Sequence, residues 1–383
     1  MNLRRLSLVV ALGITTFALA ESGPVRLAMP TTIYGTPGVE TNLYLDNVVL
    51  ALNPANYTFN VDCPLGMQQA ERWTVVPTAE EVGHYTLTLR VLDGSNAVVA
   101  EGSSAVVVTD AAAVKDRAVS VLVVGDSLTH ASVYTQTVLD HAGQPDRPTV
   151  TLIGSHVPKD DPANRHEGYG GWTAARFATH FTEAPRDAPY KERSSPFVYK
   201  NESGETGLDF PRYCADNNGG VAPDVVTIFL GCNDTFSATD ENIESVIDTM
   251  LGHMDALIAM IHDFSPTTKI GLIAPVPPTS SQDAFGFNYK NNQTRWQYRR
   301  NQHRVVERMM AAYGDKATSN ISLIPAYINL DCVRNYPETT GPANSRNESL
   351  VTRQNNSVHP AASGYQQLGD SLYGWLLAGL SEG

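Results

Sequence analysis

The sequence predicts an α/β fold, a mostly parallel sheet with helices on both faces, preceded by a small β-sandwich. Three observations carry this. After Ala118, short apolar runs rich in branched residues alternate with longer segments whose apolar positions recur at helical spacing. Before it, residues 28–109 cluster β-formers between turn signals. Ser127, Ser155, Asn233 and Pro275 all fall just beyond predicted strand ends, the edge where open parallel sheets carry their reactive groups.

The chain opens with an export signal. Arg4 and Arg5 precede the apolar stretch Leu6–Phe17, and Ala18-Leu19-Ala20 offers a small-x-small cleavage pattern before Glu21. That stretch is too short to span a bilayer comfortably, and no second run of 18 or more apolar residues follows. The expected product is exported, periplasmic or secreted, with no membrane insertion and no lipoprotein anchor. Next come β-forming segments at Asn42–Leu50, Trp73–Val76, His84–Val91 and Ala97–Val108, separated by Asn53-Pro54, the Cys63–Gly66 turn and Asp93-Gly94-Ser95. A small sandwich follows from these signals, with immunoglobulin-like topology the leading expectation. Asp110–Arg117 reads as the hinge, so the chain divides into a signal (1–20), a β-sandwich domain (21–112) and an α/β domain (113–383).

In the second domain Val119–Val124, Thr149–Ile153, Val225–Leu230, Lys269–Ala274 and Ile321–Pro325 read as strands. Tyr134–His141, Asn242–Ile261, Tyr298–Tyr313 and Ala361–Leu380 read as helices. Asn242–Ile261 is the clearest, with Ile243, Val246, Ile247, Met250, Leu251, Met254, Leu257 and Ile258 on one face. Residues 155–220 read as a long polar insertion.

Composition narrows the partners. A net charge of -13 without any Lys/Arg block opposes a phosphate backbone and excludes a nucleic-acid partner. The four cysteines are too few for a disulfide scaffold, but Cys214–Cys332 is the expected bridge because both read as polar-loop residues. Cys232 follows a buried strand and is expected to be reduced and packed. No C-x-x-C pair and no H-E-x-x-H pattern calls for a metal, and no cofactor is expected.

Chemistry concentrates at three strand or helix boundaries. Val121–His130, VLVVGDSLTH, runs a buried strand into glycine and serine, a geometry that can lift a hydroxyl nucleophile to the mouth of an α/β fold. Gly231-Cys232-Asn233-Asp234 follows a second apolar run, and His359-Pro360 precedes the last helix. The order Ser127…Gly171…Asn233…His359 resembles the SGNH, or GDSL-type, hydrolase family over residues 118–380. The resemblance implies a flavodoxin-like three-layer α/β/α fold and esterase chemistry. It implies Ser127 as nucleophile, His359 as general base, and the Ser127 amide, the Gly171 amide and the Asn233 side chain as oxyanion donors. Gly170 is an alternative to Gly171, and His130 an alternative to His359.

One position departs from the family pattern. An aspartate is expected three residues before the histidine, and Asn356 stands there. An amide oxygen can fix the imidazole tautomer but cannot neutralise an imidazolium. Asn356 itself, or a carboxylate from elsewhere, Asp331 ahead of Asp283, is the candidate orienting group. Asp234 is expected to cap or hold its loop, and His166-Glu167 to be exposed to solvent. Trp172 reads equally as a core plug or a sugar platform. The aromatic- and amide-rich stretch 281–301 leaves a strand at the functional end, so Arg295 and Trp296 are candidate substrate contacts or part of a packed connection.

Together with export, the β-domain and the aromatic-amide stretch, this resembles exported carbohydrate esterases that remove acetyl groups, with a small-molecule or polysaccharide ester as substrate. Two other readings remain open: a non-catalytic glycan-binding or adhesion protein, and an acyltransferase using the same nucleophile.

Overall fold

The computed structural model describes residues 25–289 and 293–382; the predicted export signal lies outside them. The N-terminal part is built of strands: β1 (Val25–Leu27), β2 (Thr32–Gly35), β3 (Thr41–Tyr44), β4 (Val49–Ala51), β5 (Thr58–Asp62), β6 (Met67–Gln68), β7 (Arg72–Val75), β8 (Gly83–Leu92) and β9 (Val98–Val108). They pair as a four-stranded sheet β2-β9-β8-β5, a three-stranded sheet β3-β7-β6 and the pair β1-β4. Along β8, Leu87, Leu89 and Val91 are buried while their neighbours are not, the two-residue period of a half-buried strand. The predicted Asn42–Leu50 strand is split by a single helical turn, α1 (Leu45–Val48). That turn is pinned from outside. Asn47 Nδ2 donates to the carbonyls of Tyr327 and Leu330, both at 2.8 Å, and the buried Arg299 guanidinium donates to the carbonyls of Asp46 and Asn47. Such bonds satisfy backbone oxygens that a lone helical turn leaves open.

From Ala118 the strands become parallel. β10 (Ala118–Gly125), α2 (Ser127–His130), α3 (Val133–Ala142) and β11 (Thr149–Ile153) open the domain. The stretch expected as a polar insertion holds β12 (Glu167–Gly168), α4 (Ala174–Thr179), β13 (Val198–Lys200), β14 (Thr206–Leu208) and α5 (Phe210–Asn217). β15 (Val225–Phe229), α6 (Cys232–Thr235), α7 (Ile243–Phe264), β16 (Lys269–Ile273), α8 (Gln282–Asn288), α9 (Arg295–Tyr313) and β17 (Ile321–Ile324) follow. An antiparallel hairpin, β18 (Glu338–Asn344) and β19 (Asn347–Gln354), leads into the loop before α10 (Ala362–Ser381).

The main sheet runs β11-β10-β15-β16-β17, every pair parallel, with β12 beside the end of β10. This is the 2-1-3-4-5 order of doubly wound sheets, which opens a crevice where the winding reverses, between β10 and β15. Ser127 follows one of these strands and Asn233 closely follows the other, so topology alone brings them together.

Val119, Val121 and Val123 of β10 face a core that contains Val138 of α3, Leu372, Trp375 and Leu376 of α10, and the N-terminal residues Leu43, Trp73 and Leu89. Leu122 and Val124 face the opposite core with Ile247, Met250, Met254 and Leu257 of α7. The N-terminal strands thus share one apolar core with the parallel sheet. At about 1.5–3 kcal/mol for each fully buried large aliphatic side chain, this shared core binds them to the rest of the fold.

The expected Cys214–Cys332 bridge is corrected: all four cysteines are free. Cys214 is buried in α5, in the core beside α7, and Cys332 in the core on the other face. Cys214 packs among apolar side chains, while the Cys332 thiol donates to Asn47 Oδ1 and the Leu330 carbonyl, so the two sulfurs lie in separate cores. No described helix is long and apolar enough to cross a membrane.

Candidate active site

The turn after β10 is closed too tightly for a side chain at Gly125, where a Cβ would collide with the Thr129 side chain and lie 3.0 Å from the Phe229 carbonyl. Asp126 then caps α2, its Oδ1 accepting the Leu128 N–H at 2.9 Å. Capping leaves Ser127 at the first helical position with its amide free. Its hydroxyl lies 2.8 Å from His359 Nε2, across 232 residues of chain. With its proton on Nδ1, the imidazole accepts the serine hydroxyl. Burial lowers the His359 pKa, which keeps the ring in that neutral form.

The glycine loop lies alongside. Gly171 has φ +78°, a left-handed conformation that a side chain resists, although nothing crowds the site. A Cβ on Gly170 would sit 3.9 Å from Ser127 Cβ. Among the described residues, the amides of Ser127 and Gly171 donate to no other group. Asn233, in α6, joins the three loops: its Nδ2 donates to Asp126 Oδ2 at 3.0 Å and to the Trp172 carbonyl at 3.1 Å. Asp126 is fully buried, and burial, with Asp234 nearby, raises its pKa to about 7. Asp234 is pushed up to about 6, chiefly by burial; its Oδ1 accepts the Ala174 N–H at 3.0 Å, which fixes the start of α4 as expected of a loop-holding residue.

Neither candidate partner reaches the far side of the imidazole. Asn356 Oδ1 accepts the backbone N–H groups of His359 at 2.9 Å and Val358 at 3.2 Å, so it shapes the loop that delivers the histidine. Asp331 Oδ1 accepts from the amides of Val333 and Arg334, both at 2.9 Å, and its Oδ2 from Tyr44 at 3.2 Å. It ties the loop after β17 to the N-terminal strands. Asp283 lies in the first turn of α8, bonded to Ser281. Among the described residues His359 Nδ1 has no hydrogen-bond partner.

The expected substrate contacts also change. Trp172 is wholly buried against Tyr169 and Phe177, with the Arg176 guanidinium 4.6 Å above its ring, and so is a core plug. Its carbonyl, not its indole, serves the site. Arg295 Nε donates to the Thr279 carbonyl at 2.9 Å, and its Nη2 lies 3.4 Å from Asp46, an ordinary brace between α9 and α1. Trp296 is half-buried under the Arg300 guanidinium. His166 and Glu167, expected at the surface, are fully buried; Glu167 accepts from Ser155, Tyr169 and Tyr213, donors enough to hold a carboxylate inside. His130 Nδ1 bonds to the Gly168 carbonyl at 3.0 Å, and His359, not His130, meets the nucleophile.

Two groups of residues lie at the site, and apart from Cys232, expected to be packed, and Tyr298 of the aromatic stretch, the sequence singled out none of them. Cys232, Phe285, Tyr298 and Val358, with Phe236 and Tyr289, form an apolar cluster flanking Asn233 and His359. On the glycine-loop side, the Tyr190 hydroxyl lies 2.9 Å from the place a Gly170 Cβ would take. The density of aromatics in 281–301 hinted at the first; nothing in the sequence marked Tyr190.

Comparison with curated proteins returned no match. Among solved structures, the chain is similar to a family 3 carbohydrate esterase from Clostridium thermocellum (16% identity, 69% of this chain and 100% of that one, TM-score 0.38). It is similar to one from Talaromyces cellulolyticus (15%, 69% and 99%, TM-score 0.37). A third is Est24, a carbohydrate acetylesterase from Sinorhizobium meliloti (15%, 68% and 98%, TM-score 0.38). The model of the GDSL-like lipase/acylhydrolase family matches residues 123–367, from within β10 to within α10, and so spans Ser127, Gly171, Asn233 and His359. The chain belongs to the GDSL-like lipase/acylhydrolase family.

Proposed function

We propose that this protein is an exported serine esterase that works through an acyl-enzyme on Ser127, and that its substrates are O-acetylated carbohydrates. The observation that carries the reading is the 2.8 Å contact between Ser127 Oγ and His359 Nε2 beside two unengaged amides. The hydroxyl attacks the ester carbonyl as His359 takes its proton. Negative charge then develops on the carbonyl oxygen, and the amides of Ser127 and Gly171 with the carboxamide of Asn233 are the donors assigned to hold it. Collapse expels the alcohol, protonated by His359, and water resolves the acyl-serine by the same route in reverse. The N-terminal strands, read as an immunoglobulin-like sandwich, support the flank of this machinery through the shared core.

A fluorophosphonate should label the protein once, with the added mass on the peptide holding Ser127, and acetate should be released from acetylated sugars faster than long acyl chains are released from p-nitrophenyl esters. Labelling elsewhere, or none, rejects the nucleophile; a preference for long chains rejects the acetylesterase. Protein recovered from the medium should begin at Glu21 if the export signal is processed as read.

The pH dependence has a defined sign. Only neutral His359 can accept the serine proton. Burial lowers its pKa below the ordinary 6.5, and among the described residues no carboxylate bonds to Nδ1 to oppose this. Activity should therefore hold as pH falls through 6.5, with the acid limb of kcat/KM for p-nitrophenyl acetate centred below that value. Asn356→Asp places a negative charge near the ring and should move the limb upward. A wild-type midpoint above 6.5 contradicts the assignment.

A further inference from the structure

The two sides of the nucleophile differ in polarity. Around Asn233 and His359 the wall is apolar, with Phe236 and Tyr289 partly exposed and their rings 5.0 Å apart. Beside the glycine loop stand three other rings. Tyr190 stacks on Tyr169 at 5.4 Å and 12°, and against His130 at 4.8 Å; His156 lies 4.8 Å beyond His130. The Tyr190 hydroxyl and Ser127 Cβ both approach the position of a Gly170 Cβ, at 2.9 and 3.9 Å, so this second wall begins next to the reacting oxygen.

Its polar atoms are unspent. His130 uses Nδ1 on the Gly168 carbonyl, which leaves Nε2 as an acceptor. Among the described residues, Tyr190 Oη, His130 Nε2 and both His156 ring nitrogens have no hydrogen-bond partner, yet none is sealed from solvent. Burial, then His130 and Arg193, push the His156 pKa down to about 4, so its ring is neutral near pH 7. With Lys191 Nζ 6.0 Å from the Tyr190 ring centre, the wall offers donors and acceptors together with ring faces. Hydroxyl groups on a sugar ring both donate and accept, and the ring's C–H faces pack on aromatics.

We propose that Tyr190, His130 and His156 form the subsite for the hydroxyl-rich alcohol half of the ester, with the short acyl group directed to the Phe236–Tyr289 side. The assignment rests on the serine-esterase reading and names the substrate half that the 155–220 insertion selects. A site built to bond hydroxyls discriminates against alcohols that lack them.

The test compares 6-O-acetylglucose with p-nitrophenyl acetate, which delivers the same acetyl group from an alcohol without free hydroxyls. Tyr190→Phe removes one oxygen and keeps the ring stack; His156→Ala removes the second hydrogen-bonding ring. In each variant, kcat/KM for the sugar ester divided by that for p-nitrophenyl acetate should fall about five- to tenfold, mainly through KM, the scale of one hydrogen bond. An unchanged ratio, or equal losses on both substrates, overturns the subsite while leaving the esterase intact. Failure of the wild-type protein on both esters instead strikes the esterase reading, and the subsite falls with it.

Discussion

Ser127→Ala is expected to lower kcat on p-nitrophenyl acetate by at least about 10⁴-fold, and His359→Ala by a comparable factor, with the double variant no slower than the worse single one. The reason is that the two side chains perform one step. An alcohol at its ordinary pKa is a poor nucleophile, and an imidazole with no hydroxyl to deprotonate has nothing to deliver, so removing either removes the whole covalent route. What survives is the anion trap, which should still favour water attack by about 10³-fold over solution. Neither change should unfold the protein, because Ser127 and His359 lie in the cleft and only partly within packed structure. Steady-state rates with p-nitrophenyl acetate, beside thermal melts of each variant, make the measurement. If the two losses multiplied in the double variant, Ser127 and His359 would be acting in separate steps, and the dyad would be wrong.

The dyad was legible because its evidence is local. A strand running into Gly125-Asp126-Ser127, a strand running into Asn233 and a histidine before a final helix each leave a mark in the sequence, and the parallel-sheet order then requires the first two to meet. The strand Thr149–Ile153 and the long helix starting near Ile243 were equally plain, since apolar period decides both. What failed depended on where a loop turns. Asp331 and Asn356 are both well placed in sequence to reach His359, but one turns toward Tyr44 and the other toward its own backbone. Short-range hydrogen bonds of Asp and Asn to nearby amides compete with longer reach, and spacing cannot show which wins. The insertion was misread for a related reason. Its charged and aromatic residues look like surface, yet Glu167 is buried because Tyr213, 46 residues on, and Ser155 join its neighbour Tyr169 in donating to it. Tyr190 and the buried cysteines follow the same rule: their surroundings are assembled by tertiary contacts that no short window contains.

Asn233→Ala should cost about 10²-fold in kcat, about 3 kcal/mol, with a smaller change in KM, the mark of a donor that matters more to the transition state than to the bound ester. The geometry makes this case sharper than a simple loss of one donor. In the resting site both hydrogens of the Asn233 nitrogen are committed, one to Asp126 and one to the Trp172 carbonyl. Donation to a forming oxyanion therefore requires one of these bonds to be shared or released, and the Trp172 carbonyl, carried on the glycine loop itself, is the partner best placed to yield. Alanine removes the donor and also the brace between the Asp126 turn and that loop. Asn233→Asp separates the two effects, since it keeps the shape but replaces the amide by a carboxyl next to Asp126 and Asp234, whose pKa values burial already raises to about 7 and about 6. At neutral pH that variant should be at least as impaired as alanine, and it should recover part of its kcat as pH falls and the added carboxyl gains a proton that can be donated. His359 limits the recovery from below, as it must stay neutral to work. A kcat for Asn233→Ala within threefold of wild type would remove Asn233 from the anion trap and leave the amides of Ser127 and Gly171 to hold the charge between them.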